Sequence, residues 1–238
     1  MTTCAIMQPT YLPWAGYFAL ASKSDVFIFL DDVQFERRSW QNRNRILQNG
    51  DARLLTIPVK KASQTATLEN IEVSRDEKWQ TRHLQAIRSA YPSLFDSSSE
   101  MSLFLDQLAS EKTDKLADFT IALITELFRL LQINCKTIRA SSLACGGKRS
   151  EHLAQLCKAV NADVYLSPEG SRDYLQEDGF ESLANIPLRF HSFTPMPYQQ
   201  RHAATFISHL SIIDVIGNAS LEFARHYLRN GASHAHDH

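Results

Sequence analysis

Residues 4–7 form a short apolar run that stops at Gln8-Pro9, the pattern of a buried strand. Beyond it, Trp14, Phe18, Leu20 and Ala21 fall at helical spacing within 12–24, and Pro13 suits a first helical position. Asp25 then opens Val26-Phe27-Ile28-Phe29-Leu30, which is too apolar to face water on either side. Such runs belong to central strands of parallel sheets. Strand, loop, helix and strand within about thirty residues make a βαβ unit with a right-handed crossover.

After Asp31-Asp32 the apolar rhythm stops, and 34–44 is polar, aromatic and basic, as an ordered surface loop would be. The run RLLTIPV (53–59) predicts a strand ending at Lys60-Lys61, and 63–74 a loop or hairpin. Helical zones follow around 77–90 and 101–131; the second is too long for one helix and should break near 110–115. Residues 135–139 predict a strand, and 148–160 an amphipathic helix with Leu153, Leu156, Cys157 and Val160 on one face. A short strand at 163–166, a segment opening at 170–175, an alternating strand at 187–193 and a helix at 212–228 weakened by Gly217 complete the chain. Neither an internal repeat nor a linker divides it.

The alternation predicts an α/β fold: a mainly parallel sheet with covering helices and a helical insertion or cap at about 76–131. One domain should span 1–230, followed by a disordered His-rich tail at 231–238. In that tail His234, His236 and His238 alternate, a spacing at which imidazoles can share a metal ion, though a frayed end is the heavier reading. Ligands of open α/β sheets lie beyond the carboxyl ends of the strands. That rule sets 8–17, 31–44 and 167–174 along one rim.

Composition narrows the function. A formal net charge of -1 over 238 residues argues against a nucleic-acid partner. Apolar stretches fall far short of the roughly 20 residues that span a bilayer, so no membrane insertion is expected. Four cysteines with no CxxC pair, and an N-terminus unlike a secretory leader, point to reduced thiols in the cytoplasm. No HExxH or GxSxG motif is present, and no histidine is placed by sequence to activate a cysteine. A homodimer is compatible with everything read so far.

Three clusters carry candidate chemistry. In the first, Gln8, Tyr11 and Tyr17 follow a buried strand with their polar ends free to point at a ligand; Trp14 offers a stacking face and Gly16 close backbone approach, while Phe18 reads as core. In the second, Asp31 and Asp32 stand where carboxylates orient a base or hold a cation. Arg38 and Arg43 could clamp a phosphate, Trp40 could stack, and Gln34, Asn42 and Asn44 could hydrogen-bond a ligand. A salt-bridged loop is the plainer alternative. In the third, Glu169, Ser171, Arg172, Asp173 and Tyr174 either seat a phosphate at a helix N-terminus or merely cap that helix. Gly146-Gly147-Lys148-Arg149-Ser150 lacks the spacing of a P-loop and is a weaker anion candidate.

The stretches QPTYLPWAGYF (8–18), DVFIFLDDVQFERRSWQNRNRI (25–46), LTIPVKK (55–61), KRSEHLAQLCKAVNADVYLSPEGSRDYL (148–175) and LSIIDVIGN (210–218) resemble, in order, the WbqC-like family. That resemblance implies a place in O-antigen and related surface-polysaccharide assembly. A fainter similarity, to pantothenate synthetase, runs through Pro9-Thr10, Gly16-Tyr17, the apolar run at 26–30, Gln34-Phe35 and Ser171-Arg172-Asp173-Tyr174-Leu175. It implies a nucleotidyltransferase-like fold, with ATP and Mg²⁺ as candidate cofactors in amide formation through an acyl-adenylate. Both histidines of that enzyme's HxGH-type motif are missing, with Trp14 and Tyr17 near their places.

Together these imply an enzyme that forms an acyl or aminoacyl amide on a nucleotide-linked amino sugar. Its partners would be a small-molecule nucleotide sugar and an acyl donor. The alternatives are a non-catalytic binder of a nucleotide or glycan precursor, motivated by the lost histidines, and a glycosyltransferase, motivated by Asp31-Asp32.

Overall fold

The computed structural model describes residues 1–75, 78–96 and 100–230, with the side chain of Asn230 left aside. The predicted histidine tail lies outside the described residues. Five strands form one parallel sheet: β1 (Thr3–Met7), β2 (Val26–Phe29), β5 (Lys136–Arg139), β6 (Val164–Pro168) and β7 (Leu188–His191). Between β2 and β5, a separate antiparallel hairpin joins β3 (Arg43–Gln48) to β4 (Asp51–Thr56). The sheet order is β5-β2-β1-β6-β7, and each of its pairings is parallel.

The two-faced burial read in the sequence is visible strand by strand. Ala5, Phe27 and Phe29 join one hydrophobic cluster, while Cys4, Ile6, Val26 and Ile28 join the other, as the two-residue period of a strand requires. On the first face lie α1 (Ala15–Ala21), and beyond the hairpin α2 (Trp79–Ala90), α3 (Ser102–Ser110) and α4 (Leu116–Leu130). On the second face, after α5 (Ala140–Leu143), come α6 (Arg149–Ala159), α7 (Arg172–Glu177) and α8 (Phe180–Ala184). Last among the described residues come α9 (Ile212–Asn218) and α10 (Leu221–Asn230), which return to the first face. The result is an α/β sandwich of helix, sheet and helix.

Three details differ from the sequence reading. The segment at 101–131 breaks between α3 and α4 near the expected place, but α4 is no cap. Its Phe128 packs edge-on to Phe27 and stacks on Phe29, so α4 covers the sheet itself. The loop expected to run to Asn44 stops earlier, because Arg43 and Asn44 already belong to β3. Asn49-Gly50, both at positive φ, make the tight turn that closes this hairpin. The helix expected over 212–228 is two helices, and Gly217 is there for space: a Cβ on it would lie 2.5 Å from the Tyr91 ring. Among the described residues, no helix is long and apolar enough to cross a membrane.

Candidate functional site

Counted among the sheet's own strands, the order is third, second, first, fourth, fifth, so the chain reverses direction of travel between β1 and β6. A doubly wound sheet opens a crevice at such a point, beyond the carboxyl ends of the two strands. Three cavities lie there, of ≈ 450, ≈ 330 and ≈ 240 Å³, and all three share Met7, the last residue of β1.

 A separate hollow of ≈ 350 Å³ lies away from the strand ends, around Lys23, Gln132 and Arg225. The largest of the three is walled by Trp14, Tyr17, Trp40, Arg45 and His209. The smallest runs from Gly16 and Tyr17 to Glu169, Gly170 and His191. The remaining one adjoins Gln8, Gln41, Ser171 and Tyr174. They form one cleft along the switch point.

Local structure explains the walls. Trp14 precedes α1 and folds its indole over Gly16, where a Cβ would lie 2.2 Å from the ring. The indole also meets His209, with ring centres 4.6 Å apart, and the edge of Phe193 at 5.7 Å. Trp40 is half exposed and carries the Arg45 guanidinium 5.7 Å from its ring centre.

Several polar atoms at this cleft are buried without a hydrogen-bond partner: Tyr17 Oη, His191 Nε2 and Arg45 Nε. Burial pushes the Tyr17 hydroxyl well above its usual pKa, so it stays a neutral phenol. Burial also lowers His191 to about 4, helped by the charge of Lys23, so its imidazole is neutral near pH 7. Orphaned buried polar groups are rare, and three of the six found among the described residues belong to side chains that line this cleft.

The residues singled out in the sequence divide into two groups. Gln8, Trp14, Gly16, Tyr17, Trp40, Asn44, Glu169, Ser171 and Tyr174 line the cleft. Gln8 Oε1 there accepts a hydrogen bond from Gln41 Nε2 at 2.9 Å. Asn44 also has a structural task, donating to Tyr11 O and Leu12 O while accepting from the Arg45 amide.

The others line none of the three cavities. Tyr11, expected to point at a ligand, is buried in the core with its hydroxyl 2.8 Å from His83 Nδ1. Asp31 is fully buried, and its carboxylate accepts from Arg139 Nε at 2.6 Å and from the Ser141 amide and hydroxyl at 2.9 and 2.8 Å. Those bonds tie the end of β2 to the end of β5 and do not suit Asp31 to hold Mg²⁺. Asp32 faces His152 Nε2 at 3.1 Å, while His152 Nδ1 lies 2.8 Å from Gly146 O. With an acceptor at each ring nitrogen, the pKa of His152 is raised, chiefly by Asp32.

Gln34 donates to Gln64 O, and Asn42 to Ile57 O. Arg38 is exposed at positive φ, and Arg43 has a buried Nε without a partner on β3. Arg172 pairs with Glu169 and lies 4.0 Å over the Phe190 ring, and Asp173 is exposed in the first turn of α7. Ser171 precedes α7 without a side-chain capping bond. The expected clamp of Arg38, Arg43 and Arg172 is therefore not assembled at the cleft, whose cation is Arg45.

Arg45, His191 and His209 were not singled out in the sequence. Two of them left a signal. The Asn49-Gly50 turn implies a hairpin, which puts Arg43 and Arg45 on one side of the same strand. His191 ends β7, a position the strand-end rule favours. His209 sits at positive φ outside any strand or helix, where periodicity says nothing. Among the described residues, no group of three or more His, Cys, Asp or Glu side chains could hold a metal ion.

The model of the WbqC-like protein family matches residues 8–226. The chain is also similar to the uncharacterized protein Rv1507c of Mycobacterium tuberculosis (strain ATCC 25618 / H37Rv). The two are 28% identical over 233 residues, which cover 96% of this chain and 98% of that relative.

Proposed function

The chain belongs to the WbqC-like protein family, and on that premise we propose that it is an enzyme of bacterial surface-polysaccharide (O-antigen) biosynthesis that forms an acyl or aminoacyl amide on a nucleotide-linked amino sugar. The observation that carries this reading is the switch-point cleft, where an aromatic wall, one arginine and neutral polar groups surround a single space. Flat rings of a nucleotide base or a sugar suit the indoles of Trp14 and Trp40. An anionic phosphate suits the Arg45 guanidinium, which stands beside Trp40 in the wall of the largest cavity. In the reaction the sugar's amine nitrogen attacks the activated acyl carbon, the bond to the leaving group breaks, and the nitrogen loses a proton.

Incubating the protein with ATP, glycine or another acyl donor, and an amino-sugar nucleotide tests this by mass spectrometry. The expected product is the sugar nucleotide heavier by the mass of the acid less one water. Arg45→Ala is expected to weaken nucleotide-sugar binding by about 1–3 kcal/mol, as the loss of a charged hydrogen bond does. Unchanged affinity in that variant would remove the cleft from the argument.

The second reading is a binder without catalysis. It is favoured by Trp14 and Tyr17 standing where the resembled enzyme has histidines. Tight binding with no product from any donor would select it. The glycosyltransferase reading loses its support, since the carboxylate of Asp31 is spent on Arg139 and Ser141.

A further inference from the structure

The largest of the three cavities, ≈ 450 Å³, falls within the roughly 300–1,000 Å³ that small-molecule sites occupy. Its charge is one-sided: Arg45 and His209 line it, and no carboxylate does. The backbone fixes these two side chains relative to each other. Ser211 N donates to Arg45 O at 2.9 Å and Ile212 N to Pro13 O at 2.8 Å. The segment carrying His209 is thereby pinned between β3 and the Pro13-Trp14 turn, with its ring centre 4.6 Å from that of the Trp14 indole.

Both side chains have bonding capacity to spare. Among the described residues Arg45 has no carboxylate partner, and its guanidinium lies 5.7 Å from the Trp40 ring centre. His209 is exposed; its Nδ1 lies 2.8 Å from Ser208 Oγ, and its Nε2 has no protein partner among the described residues. The charged or titratable side chains that share the cavity with it are Arg45 on β3 and the Tyr17 phenol on α1, which stays neutral. Desolvation and the charge of Arg45 hold His209 below its usual pKa, so the free imidazole is neutral near pH 7. A phosphate beside it reverses that balance, because a negative charge at hydrogen-bond distance favours the imidazolium.

We propose that Arg45 and His209 together hold the diphosphate of a nucleotide in this cavity, and that His209 takes up a proton as the anion enters. The guanidinium and the imidazolium each donate to phosphate oxygens, while Trp14 and Trp40 offer ring faces to the base or sugar. The proton comes from solvent and stays on the imidazole for as long as the diphosphate is bound. This deepens the nucleotide-sugar reading of the cleft and rests on it, since a nucleoside or a free sugar carries no charge that would protonate His209.

Calorimetric titration of the full chain with UDP, ADP and dTDP tests this, with uridine, adenosine and thymidine as controls. Running each titration in two buffers of different ionisation enthalpy gives the protons taken up on binding. At pH 7.5 the diphosphates themselves are almost fully ionised. At least one of them is expected to bind there with uptake of several tenths of a proton, and the nucleosides with none. Its affinity should fall about three- to tenfold from pH 7 to 8.5, as the bound imidazolium loses its proton. His209→Asn should abolish both the uptake and that slope. Asparagine tolerates the positive φ of this position, so an unchanged Tm separates lost proton linkage from unfolding.

Arg45→Ala and the acyl-transfer assay are run in parallel. If a diphosphate binds and weakens in Arg45→Ala, but His209→Asn takes up as many protons as wild type, the role of His209 is overturned and the wider reading stands. A diphosphate that binds and ignores Arg45→Ala overturns the seat as well. If no nucleoside diphosphate binds, the seat and the nucleotide-sugar reading fall together. If one binds through Arg45 and His209 while no acyl donor yields product, the seat stands and the amide-forming reaction falls.

Discussion

At the scale of single residues, the cleft depends on side chains that leave room for others. Gly16 is the clearest case. Its backbone is helical, so an alanine would help the helix by up to about 1 kcal/mol on propensity alone. The Trp14 indole occupies the place of the missing Cβ, and a ring atom at 2.2 Å must move. Gly16→Ala is therefore expected to displace Trp14 from Phe193 and His209 with little loss of global stability. The indicated measurements are a shifted tryptophan emission, a weakened nucleotide-sugar affinity and a Tm within a few degrees of wild type. Unaltered emission would show that the indole does not lie against Gly16. The sequence made Gly16 and Trp14 visible because they fall just after an apolar strand. It hid Arg45, because three basic residues close together, Arg43, Arg45 and Arg53, do not announce which one faces a cavity. It made Tyr11 look available, and only its distant partner His83 explains why it is not.

Between elements, polar ties do work that apolar periodicity does not report. Asp214 on α9 is fully buried and accepts from Tyr91 Oη at 2.6 Å, Gln200 Nε2 at 2.8 Å, Asn218 Nδ2 at 2.9 Å and the Tyr198 hydroxyl. Tyr91 Oη in turn accepts from the Leu47 amide of β3. One carboxylate thus joins the hairpin, the turn after α2, the segment before α9, and α9 itself. Asp214→Asn replaces a pure acceptor with a group that must point its own N–H at donors. A cost on the order of 3 kcal/mol is expected, because donors bound to a charge are left unpaired. Urea unfolding would measure it, and a cost below about 1 kcal/mol would mean that water replaces the carboxylate's bonds. The sequence predicts a helix here from Ile212, Ile213, Val215 and Ile216. It does not show that Asp214, on the same helix, points inward, since an acid among apolar residues reads as the solvated face.

At the scale of the whole molecule, the parallel sheet was legible because β1 and β2 are apolar on both faces. The order of the strands was not, since pairing depends on which distant segments meet. That order creates the switch point, so the rim expected from 8–17, 31–44 and 167–174 is only partly assembled: Asp31 and Asp32 turn away to Arg139, Ser141 and His152. Those ties, with the buried histidines, give stability a pH dependence of defined sign. His83 is lowered to about 4, chiefly by burial, as is His191. Each is neutral when folded and charged when unfolded between pH 4 and 6.5, so the unfolded chain binds more protons there. Their contribution is complete above pH 6.5 and is lost as pH falls toward 4, with each worth on the order of 2–3 kcal/mol. His152 runs the other way. Its pKa is raised by Asp32, so its contribution is present below pH 6.5 and fades as pH rises through the raised value. Opposed slopes place the stability maximum near pH 6.5. Denaturant midpoints measured from pH 5 to 8.5 should fall on both sides of it. His83→Gln should flatten the acid side, since the neutral amide has no proton to take up. His152→Gln should flatten the alkaline side. A profile in which neither variant alters its own limb would mean that the two histidines do not hold those protonation states in the folded chain.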